Sequence, residues 1–168
     1  MPELPFKMQE QEQTNWCWAA VSVSVAQFYN DPNWTRQCAL ANAVLGDILG
    51  GADCCTDGGS EACNRPWDLQ PALLKMDHLE DVVSGPLTFE GIEVEIQKQR
   101  PVGCCILMPG PWRHFIALIG CAQTDSGARL VTVADPNFLT GDTSTLAYDD
   151  LLTKYGSGGR WEKTYLTR

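Results

Sequence analysis

Two apolar runs, Val102 to Met108 and His114 to Cys121, are separated only by the turn residues PGPW at 109 to 112 and Arg113. Strands joined by so short a connection pair antiparallel, because a parallel pair needs a crossover of a dozen residues or more. A third run, RLVTVADP at 129 to 136, follows the turn QTDSGA. A short strand at Leu146 to Tyr148, a short helix at Asp149 to Tyr155 and a final strand at Trp161 to Thr167 complete the expected second half. The first half has a different period. In QTNWCWAAVSVSVAQFY, Trp18, Val21, Val25 and Phe28 recur at helical spacing. Thr14 and Asn15 are N-cap types, and Asn30-Asp31-Pro32 ends the helix. Further helices are expected from Thr35 to Leu49, stopped by Gly50-Gly51, from Trp67 to Met76, and from Thr88 to Gln99. Helices first and an antiparallel sheet afterwards define an α+β chain with segregated layers.

The 168 residues suit a single domain with a proper core, with residues 1–10 as a lead-in segment. Hydrophobic residues make up 44% and charged residues 20%, which excludes a disordered chain. With 12 basic against 21 acidic residues, for a net charge of −9, clustered phosphate contacts are not available and nucleic acid is not an expected partner. No apolar run approaches the roughly 20 residues of a membrane span. The segment MPELPFKMQEQEQ lacks an apolar h-region, so no secretory signal is expected from it.

Cys17 is the residue with chemistry to explain. It falls in the first turn of the first helix, where free N–H groups and the positive end of the dipole favour a thiolate. A nucleophilic cysteine needs a base and a group that orients the base. Of the two histidines, His78 lies in the charged stretch KMDHLED and reads as a surface residue. His114 opens an apolar strand after a Pro/Gly turn, and so stands fixed at a sheet end. Asp135 ends the next strand just before a proline, beside His114 if the two strands pair as a hairpin, and Asn137 is the alternative orienting group. An oxyanion needs donors. The Cys17 N–H is one, and Gln9, Gln11 or Gln13 supplies a second, with Gln11 preferred.

Eight cysteines are present. Cys38, Cys54, Cys55 and Cys63 cluster about GGADCCTDGGSEACNRP, either as disulfides or as free thiols. Their spacing is a poor match to a zinc site, and no metal or other cofactor is expected. Cys104, Cys105 and Cys121 read as small core residues.

A glutamine followed by TNWCWAA, then QCALAN, a CC…CN loop, a histidine opening a strand and an Asp-Pro ending the next resemble the papain-like cysteine proteases of the bacterial plant-pathogen avirulence-effector type. The resemblance runs from about Gln11 onward, and extends more distantly to papain and the staphopains. It implies a papain-like fold, with a helical half packed against a sheet half and a cleft between them. It also implies peptide-bond hydrolysis by Cys17, His114 and Asp135, with Gln11 in the oxyanion role. A protein or peptide substrate follows, together with delivery as a secreted effector or toxin and an immunity or host partner that no residue here identifies. A cytoplasmic location is the alternative. Trp112 and Arg113 depart from the small residues usual before the histidine. As strand neighbours, Arg113 faces away from the His114 side and Trp112 lines the cleft. The same residues also suit an isopeptidase, deamidase or transglutaminase, since these share the acyl-enzyme. A cysteine-rich binding module would need none of them.

Overall fold

The computed structural model describes residues 3–110, 112–138 and 142–168. Helix α1 (Cys17–Phe28) is followed by α2 (Gln37–Leu45), a 3-10 turn (Gly46–Leu49) and α3 (Leu69–Lys75). Strand β1 (Leu79–Ser84) and helix α4 (Phe89–Gln97) precede β2 (Val102–Met108), β3 (Trp112–Gln123), β4 (Arg129–Ala134) and β5 (Thr143–Ala147). Helix α5 (Tyr148–Thr153) and strand β6 (Arg160–Thr167) complete the order. The six strands form one sheet in the order β1-β6-β2-β3-β4-β5, antiparallel at every pairing. The expected α+β architecture is therefore the observed one. No helix among the described residues is long and apolar enough to cross a membrane.

Every residue of α1 from Cys17 to Ala26 is buried, because α2 and α3 pack on it from one side and β3 from the other. Three alanines and three valines of modest bulk let backbone approach on several faces at once. The cap differs from expectation. Trp16 occupies the N-cap position and no side chain caps the helix. Thr14 and Asn15 are used elsewhere: Asn64 Oδ1 accepts from the Asn15 N–H at 2.9 Å, and Asn64 Nδ2 donates to Thr14 Oγ1 at 2.9 Å. Their polar groups thus dock the cysteine-bearing loop instead of closing the helix. Thr35 likewise yields the second cap position to Arg36. Thr88 does cap α4, accepting from the Gly91 N–H at 3.1 Å.

The N-terminal segment is part of the core. Leu4, Phe6 and Met8 are buried, the Leu4 N–H donates to the Ile119 carbonyl at 2.7 Å, and Phe6 packs on Phe28. Strand β1, unforeseen in the sequence, pairs with β6. The adjoining His78 is half-buried, which corrects its reading as a simple surface residue. Its ring stacks on Tyr29 and bridges Asp31 and the Arg168 carbonyl at 3.1 and 2.9 Å. That clamp ties the helical layer to the end of β6.

Candidate active site

Cys17 is the first residue of α1, and its two tryptophan neighbours explain how it is held. Both indoles are buried, and a buried indole N–H needs an acceptor. Trp16 Nε1 donates to the Cys63 carbonyl at 2.8 Å, and Trp18 Nε1 donates to the Arg65 carbonyl at 2.9 Å. The loop that supplies these carbonyls is cross-linked twice. Cys54 bonds to Cys63 within the loop, and Cys38 of α2 bonds to Cys55. These pairings settle the choice between disulfides and free thiols at all four positions. A nine-residue separation implies that replacing Cys54 and Cys63 together by alanine costs roughly 2–3 kcal/mol in urea unfolding. A cost near zero would mean that the indole and asparagine bonds hold the loop unaided.

Across the cleft, β3 carries His114, which is 7% exposed. The strand begins at Trp112, not at His114, because β2 and β3 stay paired from Met108 and Trp112 onward. Asp135 follows directly on β4. The antiparallel β3–β4 register, with Ala117 opposite Ala134, brings it back beside His114. The His114 Nε2–H donates to Asp135 Oδ1 at 2.8 Å; a carboxylate only accepts, so the proton lies on Nε2. Cys17 lines the same cleft as His114, and with Nε2 engaged by Asp135 the ring nitrogen left to face the sulfur is Nδ1. Burial works against charge on His114, but the bond to Asp135 and the influence of the Cys17 sulfur and the Asp135 charge outweigh burial and push its pKa up to about 9. Burial likewise opposes ionisation of Asp135. The His114 bond and charge, the Tyr155 hydroxyl and the Asn137 N–H overcome it and hold the carboxyl below the usual range.

Gln11 stands at the lip of the same cleft. Its own N–H donates to the Pro136 carbonyl at 2.9 Å, which ties it to the turn after Asp135. Its side-chain Nε2 donates to the Gln13 and Thr14 carbonyls at 3.0 and 2.9 Å, so both amide protons are engaged within the lead-in backbone. Gln37 is a positioning residue that the sequence reading did not single out. It is fully buried, donates to Gln9 Oε1 and the Glu10 carbonyl at 3.0 and 2.8 Å, and accepts from the Glu12 N–H at 3.0 Å. A glutamine opening an otherwise apolar helix was the available sign. Asn137 lies in the cleft wall. Its backbone N–H, not its side chain, meets Asp135, at 2.8 Å.

The cleft encloses about 570 Å³ between Trp67 and Asn15 on the helical side and Trp112 and His114 on the sheet side. Trp112 is 53% exposed and stands edge-on to the His114 ring at 6.2 Å. Arg113 is drawn to Glu162 of β6, with Nε 2.6 Å from Oε1.

A helical layer facing an antiparallel sheet, with a cysteine at a helix N-terminus opposite a histidine–aspartate pair, is the arrangement of a papain-like cysteine peptidase. The sequence model of the family described as papain-like cysteine protease AvrRpt2 matches residues 2–148. The chain belongs to this family, and is a cysteine peptidase whose substrates are proteins. A comparison with curated proteins finds no match.

Proposed function

We propose that the protein is an endopeptidase acting through Cys17, His114 and Asp135, with Gln11 and the Cys17 N–H as oxyanion donors, and that it serves as a secreted bacterial effector or toxin. The observation that carries the catalytic reading is the His114 ring, which donates to Asp135 and lines the same cleft as Cys17. In the resting state the pair is imidazolium and thiolate. The thiolate attacks the scissile carbonyl and a C–S bond forms, placing negative charge on the carbonyl oxygen. The oxyanion collapses, the C–N bond breaks, and the His114 Nδ1 proton passes to the leaving amine. A water then attacks the thioester as His114 takes its proton, and the acid is released with Cys17 restored. Asp135 remains ionised throughout and fixes the ring. The effector role rests on the family resemblance. One continuous hydrophobic cluster from Leu4 to Tyr165 supports reading residues 1–168 as a single domain.

The deciding experiment incubates wild type and Cys17→Ala with a diverse peptide library under mass-spectrometric readout. New termini formed only by wild type support hydrolysis. Glutamine converted to glutamate, or cross-linked peptides, would assign deamidation or transfer instead. For Gln11, both amide protons already bond backbone carbonyls, so one must be exchanged to reach an oxyanion. Gln11→Ala is therefore expected to lower kcat by about 10²-fold, the lower end for an oxyanion donor, with the protein still folded by circular dichroism. Undiminished kcat in folded protein would remove Gln11 from the site.

A further inference from the structure

Asp135 has two oxygens with separate partners. Oδ1 accepts from His114 Nε2 and from the Asn137 N–H, each at 2.8 Å. Oδ2 accepts from the Tyr155 hydroxyl at 2.5 Å. We propose that Tyr155 is a positioning residue: its phenol fixes the rotation of the Asp135 carboxylate and so aims Oδ1 at His114. The inference rests on the triad reading above, and it concerns a residue beyond the 2–148 segment that the family match covers.

Three features set Tyr155 apart from an incidental neighbour. The first is anchorage. Tyr155 is 9% exposed and exchanges two backbone bonds with Gly159, its N–H donating at 2.9 Å and its carbonyl accepting at 2.6 Å. The intervening turn is possible because Gly156 and Gly158 take φ of 57° and 112°, values that other residues rarely adopt. The second is seating. A Cβ on Gly159 would stand 2.5 Å from Met108 Sδ and 2.6 Å from Ile106 Cγ2. Ile106 is the β2 residue directly opposite His114, so the turn rests on the strand that backs the histidine. The third is chemistry. Burial and the Asp135 charge raise the Tyr155 pKa above its usual value, so the phenol keeps its proton and remains a donor at any working pH. A water in its place would be free to turn, whereas a phenol on a locked backbone is not.

The test is a double-mutant cycle on kcat and KM with a cleavable peptide, with the rate of Cys17 alkylation as a second readout that stays measurable in slow variants. Tyr155→Phe keeps the ring and deletes the donor. It is expected to lower kcat about 10-fold with KM unchanged, the loss of one hydrogen bond to a charged group. In an Asp135→Ala background the same substitution is expected to change neither kcat nor the alkylation rate, because the group it acts through is gone. Unchanged kcat in folded Tyr155→Phe would overturn the proposal. So would an equal fall in both backgrounds, which would reveal a purely structural role. Full activity in Asp135→Ala itself would instead sink the triad reading, so the two failures are distinguishable. Should Tyr155→Phe fail to fold, proton NMR of the wild type decides. A slowly exchanging phenolic proton that vanishes in Asp135→Ala supports the bond, and its absence from the wild-type spectrum overturns it.

Discussion

Iodoacetamide at pH 6 is expected to alkylate Cys17 long before Cys104, Cys105 or Cys121, and His114→Ala is expected to erase that order. All four free thiols are buried, but only Cys17 lines the cleft. Burial lifts Cys104 well above the ordinary thiol range. Burial and the Glu162 charge push Cys105 to about 12, and burial with the Glu93 charge brings Cys121 to about 11. A thiol that titrates near 11 is ionised to only about one part in 10⁵ at pH 6, and the thiolate is the reactive form. Cys17 instead faces the cleft beside a histidine held as a cation. His114→Ala removes the cation and is expected to lower kcat/KM for a peptide by more than about 10³-fold. His78→Ala is expected to leave the labelling order intact, because His78 is tied to Asp31 and Arg168 away from the cleft. The pH dependence has a definite sign. A pKa raised from 6.5 to about 9 adds stability that is complete below 6.5 and fades as pH rises through 9. Activity that requires the His114 cation is likewise expected to fall as pH passes about 9. Slow, unselective labelling of folded wild type, with Cys17 reduced, would make it a packing residue.

Asp135→Ala is expected to lower kcat/KM by about 10³-fold and Asn137→Ala by less than about 10-fold, compared at equal folded content. Asp135 supplies the acceptor that holds His114 Nε2, and without it the ring loses both its orientation and the charge that supports the imidazolium. Asn137 meets Asp135 through a backbone N–H, which survives truncation of its side chain. The reverse order of effects would transfer the orienting role to Asn137.

Strand β2 was legible to the residue because Pro101 and Pro109 bound an unbroken apolar run, and both faces of the strand are buried. The pairing of His114 with Asp135 was legible because an antiparallel hairpin leaves the start of one strand beside the end of the next. Strand β1 was not, since LEDVVS buries only its first residue fully and shows no alternation; its register is imposed by β6. The caps at Thr14 and Asn15 were misread because local propensity cannot foresee a competing partner 49 residues away at Asn64. The same distance problem hid the pairing of the cysteines, where adjacent Cys54 and Cys55 bond in different directions. Tyr155 carried no sign at all. Its partner is 20 residues distant, and its position depends on a glycine turn whose sequence reads as any surface loop.

The place of β6 in the sheet bears on how the molecule comes together in time. It is the last strand in chain order, yet it lies between β1 and β2, with Leu79 opposite Thr167 and Val102 opposite Leu166. During synthesis β1 emerges early and has no strand to pair with until β6 follows. Loop-closure entropy must be met before such distant pairings are rewarded, which slows folding and leaves strand edges open in the interim. A nascent chain that stops before Arg160 has an unpaired β2 edge immediately behind the strand that carries His114. The cleft therefore gains its final backing only when the last strand slots in.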